Sequence, residues 1–202
     1  MSRLLWVLFG GLLALAVWFS TPAAKPTSQQ IDWCVNDGRR FPLDQAISGC
    51  TAAIESGHED LLWAFVNRCS AYNDQKQHEL ALADCNEAIR RDPTLAIAYN
   101  NRGNSYDGKG DHDRALIDFN EAIRLDPKYG HAYYNRGIAH QAKGNLDLAR
   151  ADYAQAIRLD PKDAAALYRL GLVKQMRGDQ AGGDADIAAA RAINPKVDQP
   201  KR

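Results

Sequence analysis

The residues best suited to covalent chemistry in this sequence are four cysteines, which form two pairs of equal spacing, Cys34 with Cys50 and Cys69 with Cys85, sixteen apart in each. Zinc sites usually carry ligands two to four residues apart, a spacing absent here. Disulfide bonding and burial as free thiols are the two chemistries left. Four cysteines allow three connectivities, so the elements that carry them must decide the pairing. His58, His78, His112, His131 and His140 show no metal-ligand spacing and are expected in solvent, with His78 and His112 sharing one turn position. No glycine loop follows a strand to cradle a phosphate, no nucleophile elbow occurs, and no acid, base and nucleophile converge. The sequence therefore points away from an enzyme and calls for no cofactor and no metal.

Composition narrows the classes further. The 202 residues include 25 Lys+Arg and 25 Asp+Glu, with 46% hydrophobic and 25% charged. That is ordinary globular composition, which excludes a disordered acidic chain and a collagen-like polymer. Zero net charge without a basic run excludes nucleic acid as the expected partner. Residues 1–24 read as a targeting segment: Arg3 precedes an apolar stretch from Leu4 to Phe19, and Ser20-Thr21-Pro22-Ala23-Ala24 follows with small residues. It is either a cleaved export signal, cut best after Thr21-Pro22-Ala23, or an N-terminal membrane anchor with Arg3 on the cytoplasmic side. Both place the remaining chain outside the cytoplasm, periplasmic or otherwise extracytoplasmic.

The elements come from a repeat. Asp92-Pro93, Asp126-Pro127, Asp160-Pro161 and Asn194-Pro195 recur every 34 residues. Alignment on these prolines gives units 62–95, 96–129, 130–163 and 164–197, with matching columns: Cys69, Gly103, Gly137 and Gly171 at the eighth position, Ala81, Ala115 and Ala149 at the twentieth. Within each unit the apolar spacing is helical. Gly110-Asp111, Gly144-Asn145 and Gly178-Asp179 interrupt it midway and proline ends it, so each unit reads as a helical hairpin. The small residues are expected where the two helices approach most closely. The aromatics at the fourth and twenty-fourth positions (Phe119, Tyr153) are expected to fill the seam between units.

This pattern resembles the tetratricopeptide repeat, whose signature reappears from Tyr99-Asn100-Asn101-Arg102-Gly103 through Ala115, Phe119 and Ala122 to Asp126-Pro127. The resemblance covers 62–197. Residues 27–61 read as a degenerate N-terminal hairpin with Ala46, Cys50 and Ala53 in the columns of Ala115, Phe119 and Ala122. Unit 164–197 reads as a degenerate C-terminal cap, with Leu170 in the Arg column, and 198–202 as a tail. The implied fold is an all-α solenoid of stacked antiparallel hairpins.

Two pairings follow from an antiparallel hairpin. Arg68, Arg102 and Arg136 share the seventh position and Asp84, Asp118 and Asp152 the twenty-third, on the opposite helix, which predicts three structural ion pairs. The alternative is that the arginines line a basic stripe. Cys34 and Cys50 are equidistant from Pro42, and Cys69 and Cys85 from Gln77, both in expected turns. Residues equidistant from the turn lie at one height, which predicts Cys34–Cys50 and Cys69–Cys85 disulfides. Cys50–Cys69, symmetric about His58-Glu59-Asp60, would leave Cys34 and Cys85 too far apart.

In the family that this chain resembles, the first helix of each unit lines a groove that takes peptides or proteins. The corresponding positions here include Asn67 in one unit, Asn100, Asn101 and Asn104 in the next, then Tyr134 and Asn135, then Tyr168 and Arg169. Amides and tyrosines suit an extended peptide backbone. Arg169 is the sole cation among these positions, and lysine is missing. The resemblance implies a non-catalytic protein-interaction scaffold. The alternatives are a structural or accessory subunit of an envelope complex and a self-associating module. The sequence leaves the oligomeric state unspecified.

Overall fold

The computed structural model describes residues 25–35, 41–57 and 61–199. The expected targeting segment 1–24, His58 and the last residues of the tail lie outside them. The described residues form ten helices and no strands: α1 (Ser28–Val35), α2 (Leu43–Glu55), α3 (Leu62–Asp74), α4 (His78–Arg91), α5 (Ala96–Gly108), α6 (His112–Leu125), α7 (Gly130–Ala142), α8 (Leu146–Leu159), α9 (Ala164–Met176) and α10 (Gln180–Ile193). Each helix packs on the next in chain order. In addition α1 packs on α3, α3 on α5 and α5 on α7, whereas no two even-numbered helices pack to that extent. The odd-numbered helices are therefore the inner layer of a curved stack. This is an all-α solenoid.

The Asp-Pro and Asn-Pro dipeptides set the helix lengths by a local mechanism. Proline disfavours helical geometry in the residue before it. Asp92, Asp126, Asp160 and Asn194 accordingly leave the helix with φ near −135° to −133°. Each then accepts a hydrogen bond two residues on, from the backbone N–H of Thr94 (2.8 Å), Lys128 (2.9 Å), Lys162 (2.9 Å) and Lys196 (3.0 Å). The mid-hairpin turns need one residue in left-handed geometry. Gly110, Gly144 and Gly178 supply it without cost, and Lys76 adopts φ 60° at the same place in the preceding unit. Asp111, Asp163 and Asp179 cap the helices that follow them.

The core is a column of close approaches between the two helices of a hairpin. A Cβ on Gly103 would stand 2.6 Å from the Phe119 ring, and one on Gly137 2.7 Å from the Tyr153 ring. Phe119 and Tyr153 are fully buried. The twenty-fourth-position aromatic thus lies over the glycine of its own hairpin as well as reaching α7 or α9, so it fills more than the seam between units. The fourth-position aromatics diverge. Phe65 is buried, while Tyr99 and Tyr133 turn outward and donate to the Pro93 and Pro127 carbonyls at 3.2 and 3.4 Å.

Two glycine substitutions should have opposite signs. Gly103→Ala forces its methyl onto an immobile ring and should cost about 1–3 kcal/mol. Gly130→Ala meets only an ordinary contact, Leu159 Cβ at 3.7 Å, and should be neutral or stabilising by up to about 1 kcal/mol. Urea unfolding followed by circular dichroism measures both.

Candidate functional site: the inner helical layer and the ties beneath it

The four cysteines occupy the same close-approach column. Cys34 is joined to Cys50 and Cys69 to Cys85, with Cα–Cα distances of 4.6 and 5.6 Å. All four side chains are fully enclosed. Pro42 and Gln77 stand at the N-caps of α2 and α4. Each disulfide therefore crosses a hairpin where later units place glycine against a ring.

The arginine column ties hairpins in two directions. Arg68, Arg102 and Arg136 each fork onto one carboxylate of the opposite helix. Nε and Nη2 donate to Asp84 at 2.7 and 2.8 Å, to Asp118 at 2.8 and 2.7 Å, and to Asp152 at 2.9 and 2.6 Å. The three aspartates are buried. Nη1 reaches back to the preceding hairpin, to Thr51 (2.9 Å), Asn86 (2.9 Å) and Asn120 (2.7 Å). The Asp118 carboxylate accepting both bonds raises the Arg102 pKa against the opposing effect of desolvation. Each guanidinium makes three bonds inside the stack, two of them to its own carboxylate, so the column presents no basic stripe.

A second ladder runs along the turn edge. Glu79 pairs with Lys109, Asp113 with Lys143 and Asp147 with Arg177, each across one hairpin junction. Gln75 donates to Asp44 at 2.6 Å in the corresponding place. The signal for it was available: a basic residue at the fourteenth position and an acidic one at the eighteenth recur with the repeat. Exposed pairs of this kind contribute little singly.

The expected groove residues divide into two groups. Asn100 and Asn101 are 3% and 7% exposed, which corrects their placement as open lining. Asn100 accepts from Asn135 Nδ2 (2.9 Å) and donates to the Tyr129 hydroxyl (3.5 Å). The Asn101 carbonyl accepts from Asn73 (2.8 Å) and from Ser105 (3.0 Å). The Asn100 side chain is thus spent on its neighbours, and at Asn101 it is the backbone carbonyl that accepts from Asn73 of the preceding repeat. Burial raises the Tyr129 hydroxyl pKa to about 12. Asn67 lines a small cavity of about 120 Å³ with Ser70, Asp74 and Leu43.

The second group is Asn104, Tyr134, Asn135, Tyr168 and Arg169, all half-buried on the inner layer. Tyr134 leans on the Tyr153 ring at 5.9 Å. Among the described residues, no hydrogen bond or ion pair holds Asn104, Tyr168 or Arg169. The Asn100–Asn135 bond joins the fifth position of one unit to the sixth of the next.

His78, His112 and His140 depart from the solvated expectation, whereas His131 meets it. His112 Nδ1 lies 2.7 Å from Asp107 and His78 Nδ1 3.4 Å from Asn73. His131 is exposed, edge-on to Tyr129. His140 takes the column of Tyr72 and Tyr106. Its Nδ1 is buried without a partner and its ring is 3.9 Å from Asp152, whose oxygens Arg136 already holds. No group of three or more potential metal-ligating residues is found among the described residues.

This architecture defines the class: a solenoid of antiparallel helical hairpins whose odd-numbered helices form the inner layer. The family model described as "Tetratricopeptide repeat" matches residues 100–164 and 134–193, so this part of the chain consists of tetratricopeptide repeats. No curated protein sequence matches the chain. Among solved structures it is similar to a thermophilic tetratricopeptide-repeat protein of Thermus thermophilus, at 22% identity and TM-score 0.67, covering 76% of this chain and 84% of that one. MamA of Desulfovibrio magneticus matches at 14% identity and TM-score 0.64, covering 87% and 99%. These two likenesses concern the fold alone. The first repeat domain of Spaghetti, bound to the HSP90 peptide SRMEEVD, matches at 25% identity and TM-score 0.55, covering 58% and 93%.

His140 supplies a pH test. Burial lowers its pKa from the ordinary 6.5, with Asp152 opposing and Arg136 and Lys143 adding to the shift. The unfolded chain then binds a proton that the folded chain resists. This contribution is intact above the ordinary histidine pKa and is lost as pH falls through and below it. His140→Tyr, the residue type of its column, should flatten the fall in urea midpoint between about pH 7 and pH 5 relative to the parent chain.

Proposed function

We propose that the chain is a non-catalytic adaptor that holds a peptide or protein partner along the inner layer of its C-terminal half. The observation that carries this reading is the unspent polar surface formed among the described residues by Asn104, Tyr134, Tyr168 and Arg169, beside Asn135, whose amide already donates to Asn100. Tyrosine offers a flat face with a polar tip, and asparagine pairs with both donor and acceptor of an extended backbone. Among the described residues no carboxylate pairs with Arg169, so an acidic side chain or a C-terminal carboxylate of the partner is its natural complement. The Spaghetti domain, which holds an acidic HSP90 peptide, supports a peptide as the kind of ligand. Zero net charge favours protein over nucleic acid.

Cross-linking in the native compartment, followed by identification of the attached protein, tests the adaptor reading. The double variant Tyr134→Ala with Arg169→Ala should lose the partner, with affinity reduced at least about tenfold, while helicity is retained. Full retention of the partner by this folded variant would remove the inner layer from the account. Light scattering separates partner capture from self-association.

We also propose an extracytoplasmic location. The Leu4–Phe19 stretch and two enclosed disulfides support it, since such bonds persist in oxidising compartments. No helix of the described residues is long and apolar enough to cross a membrane, and any anchoring would fall to residues 4–19. In the chain-entropy model each disulfide contributes on the order of 3 kcal/mol. Alkylation of denatured, unreduced protein from the envelope fraction should leave all four cysteines unlabelled. Labelled cysteines, or recovery only from the cytoplasm, would refute export.

A further inference from the structure

Four junctions separate the five hairpins, and they are not equivalent. At the first three, an arginine Nη1 donates across the junction, to Thr51, Asn86 and Asn120, and the flanking inner helices pack directly. At the junction between α8 and α9 both ends of that bond are gone: Leu170 stands in the arginine column and Ala154 in the acceptor column. The backbones of the inner helices α7 and α9 approach each other less than those of α1 with α3, α3 with α5 and α5 with α7, and these two helices meet through side chains.

What remains there is of a different kind. Leu170 and Val173 pack with Tyr153, Tyr134, Ile138 and Ile157. The polar contacts are an exposed Arg177–Asp147 pair and a 3.8 Å approach of Gln141 to the Met176 sulfur. Apolar burial holds two surfaces together without fixing their register, whereas a hydrogen bond loses strength within a few tenths of an ångström and a few tens of degrees. Asp186 keeps its place opposite the lost arginine and pairs instead with Lys174 at 2.7 Å, inside its own hairpin. The ion pair leaves the buried Asp186 Oδ2 without a hydrogen bond, unlike the forked carboxylate of Asp152 one repeat earlier.

We infer that the α8–α9 junction is a shear joint, at which α9 and α10 rock as one unit against the rest of the stack. Tyr134 and Asn135 lie on one side of it, Tyr168 and Arg169 on the other. The joint holds whether or not these residues bind a partner.

Distance distributions between spin labels test it, with the labels carried on non-canonical side chains so that the cysteines are untouched. Ile117, Ala151 and Ala185 are exposed on successive outer helices, one repeat apart. The 151–185 distribution should be about twice as wide as the 117–151 distribution. Equal widths would overturn the joint. Leu170→Arg combined with Ala154→Asn should narrow 151–185 to the width of 117–151, more than either change alone. A folded double variant that stays wide would mean that the missing bond is not the cause. If the double variant does not fold, Asn120→Ala decides: this exposed position should tolerate the change and 117–151 should widen, and an unchanged width would refute the inference.

Discussion

The distance between the two helices of a hairpin is the constraint on which the stack depends. It is set at one column, where the first helix carries a residue without bulk and the second sends a large group across: Gly103 under Phe119, Gly137 under Tyr153, Gly171 against Ile187. The cysteine pairs meet the same requirement by covalent means, since two sulfurs span the gap that a ring fills elsewhere. Once this spacing is fixed, Ala81, Ala115 and Ala149 can be enclosed without voids. The arginine and aspartate of each hairpin then stand at fork distance. A looser hairpin would leave a buried carboxylate unsatisfied.

Two kinds of force join one hairpin to the next, and they divide the labour. Apolar contacts such as Leu61, Phe65, Ala88 and Ala98 provide cohesion. Directional bonds from Arg68, Arg102 and Arg136, and the amide network of Asn73, Asn100 and Asn135, provide register. The polar inner surface near the N-terminal end is thus largely consumed in holding the curve. Toward the C-terminal end the substitutions Leu170 and Ala154 remove the register bonds, and the side chains that face inward keep their donors and acceptors. Regions with less internal bonding are the ones from which recognition surfaces are drawn.

Much of the fold is legible in the sequence because the repeat supplies its own control: a residue type recurring at one column in several units reports a shared environment. The Asp-Pro stops, the glycine turns and the antiparallel hairpins are readable this way. The inner face is less so. Asn100 and Asn101 have the composition of a groove, yet they are buried, because column position gives the direction of a side chain and not how closely the neighbouring helix approaches. His78 and His112 look like surface turn residues, but their partners Asn73 and Asp107 lie five residues back, around the turn. Lys76 adopts left-handed geometry without the glycine that marks the other turns, and only its column discloses it.

The turn-edge pairs repeat one geometry from junction to junction, and so do the arginine ties at the inner ones. Joining residue 95 directly to residue 130 would set Lys143 against Glu79 and Arg136 against Asn86, the partners that Lys109 and Arg102 now have. A whole hairpin can thus be excised or duplicated at the proline boundary with the charges at the new seam already matched. The number of hairpins is in this sense adjustable, while the two extremities are not: one is fastened by sulfur, and the other is finished by Arg191 turning onto Asp198 at 2.8 Å.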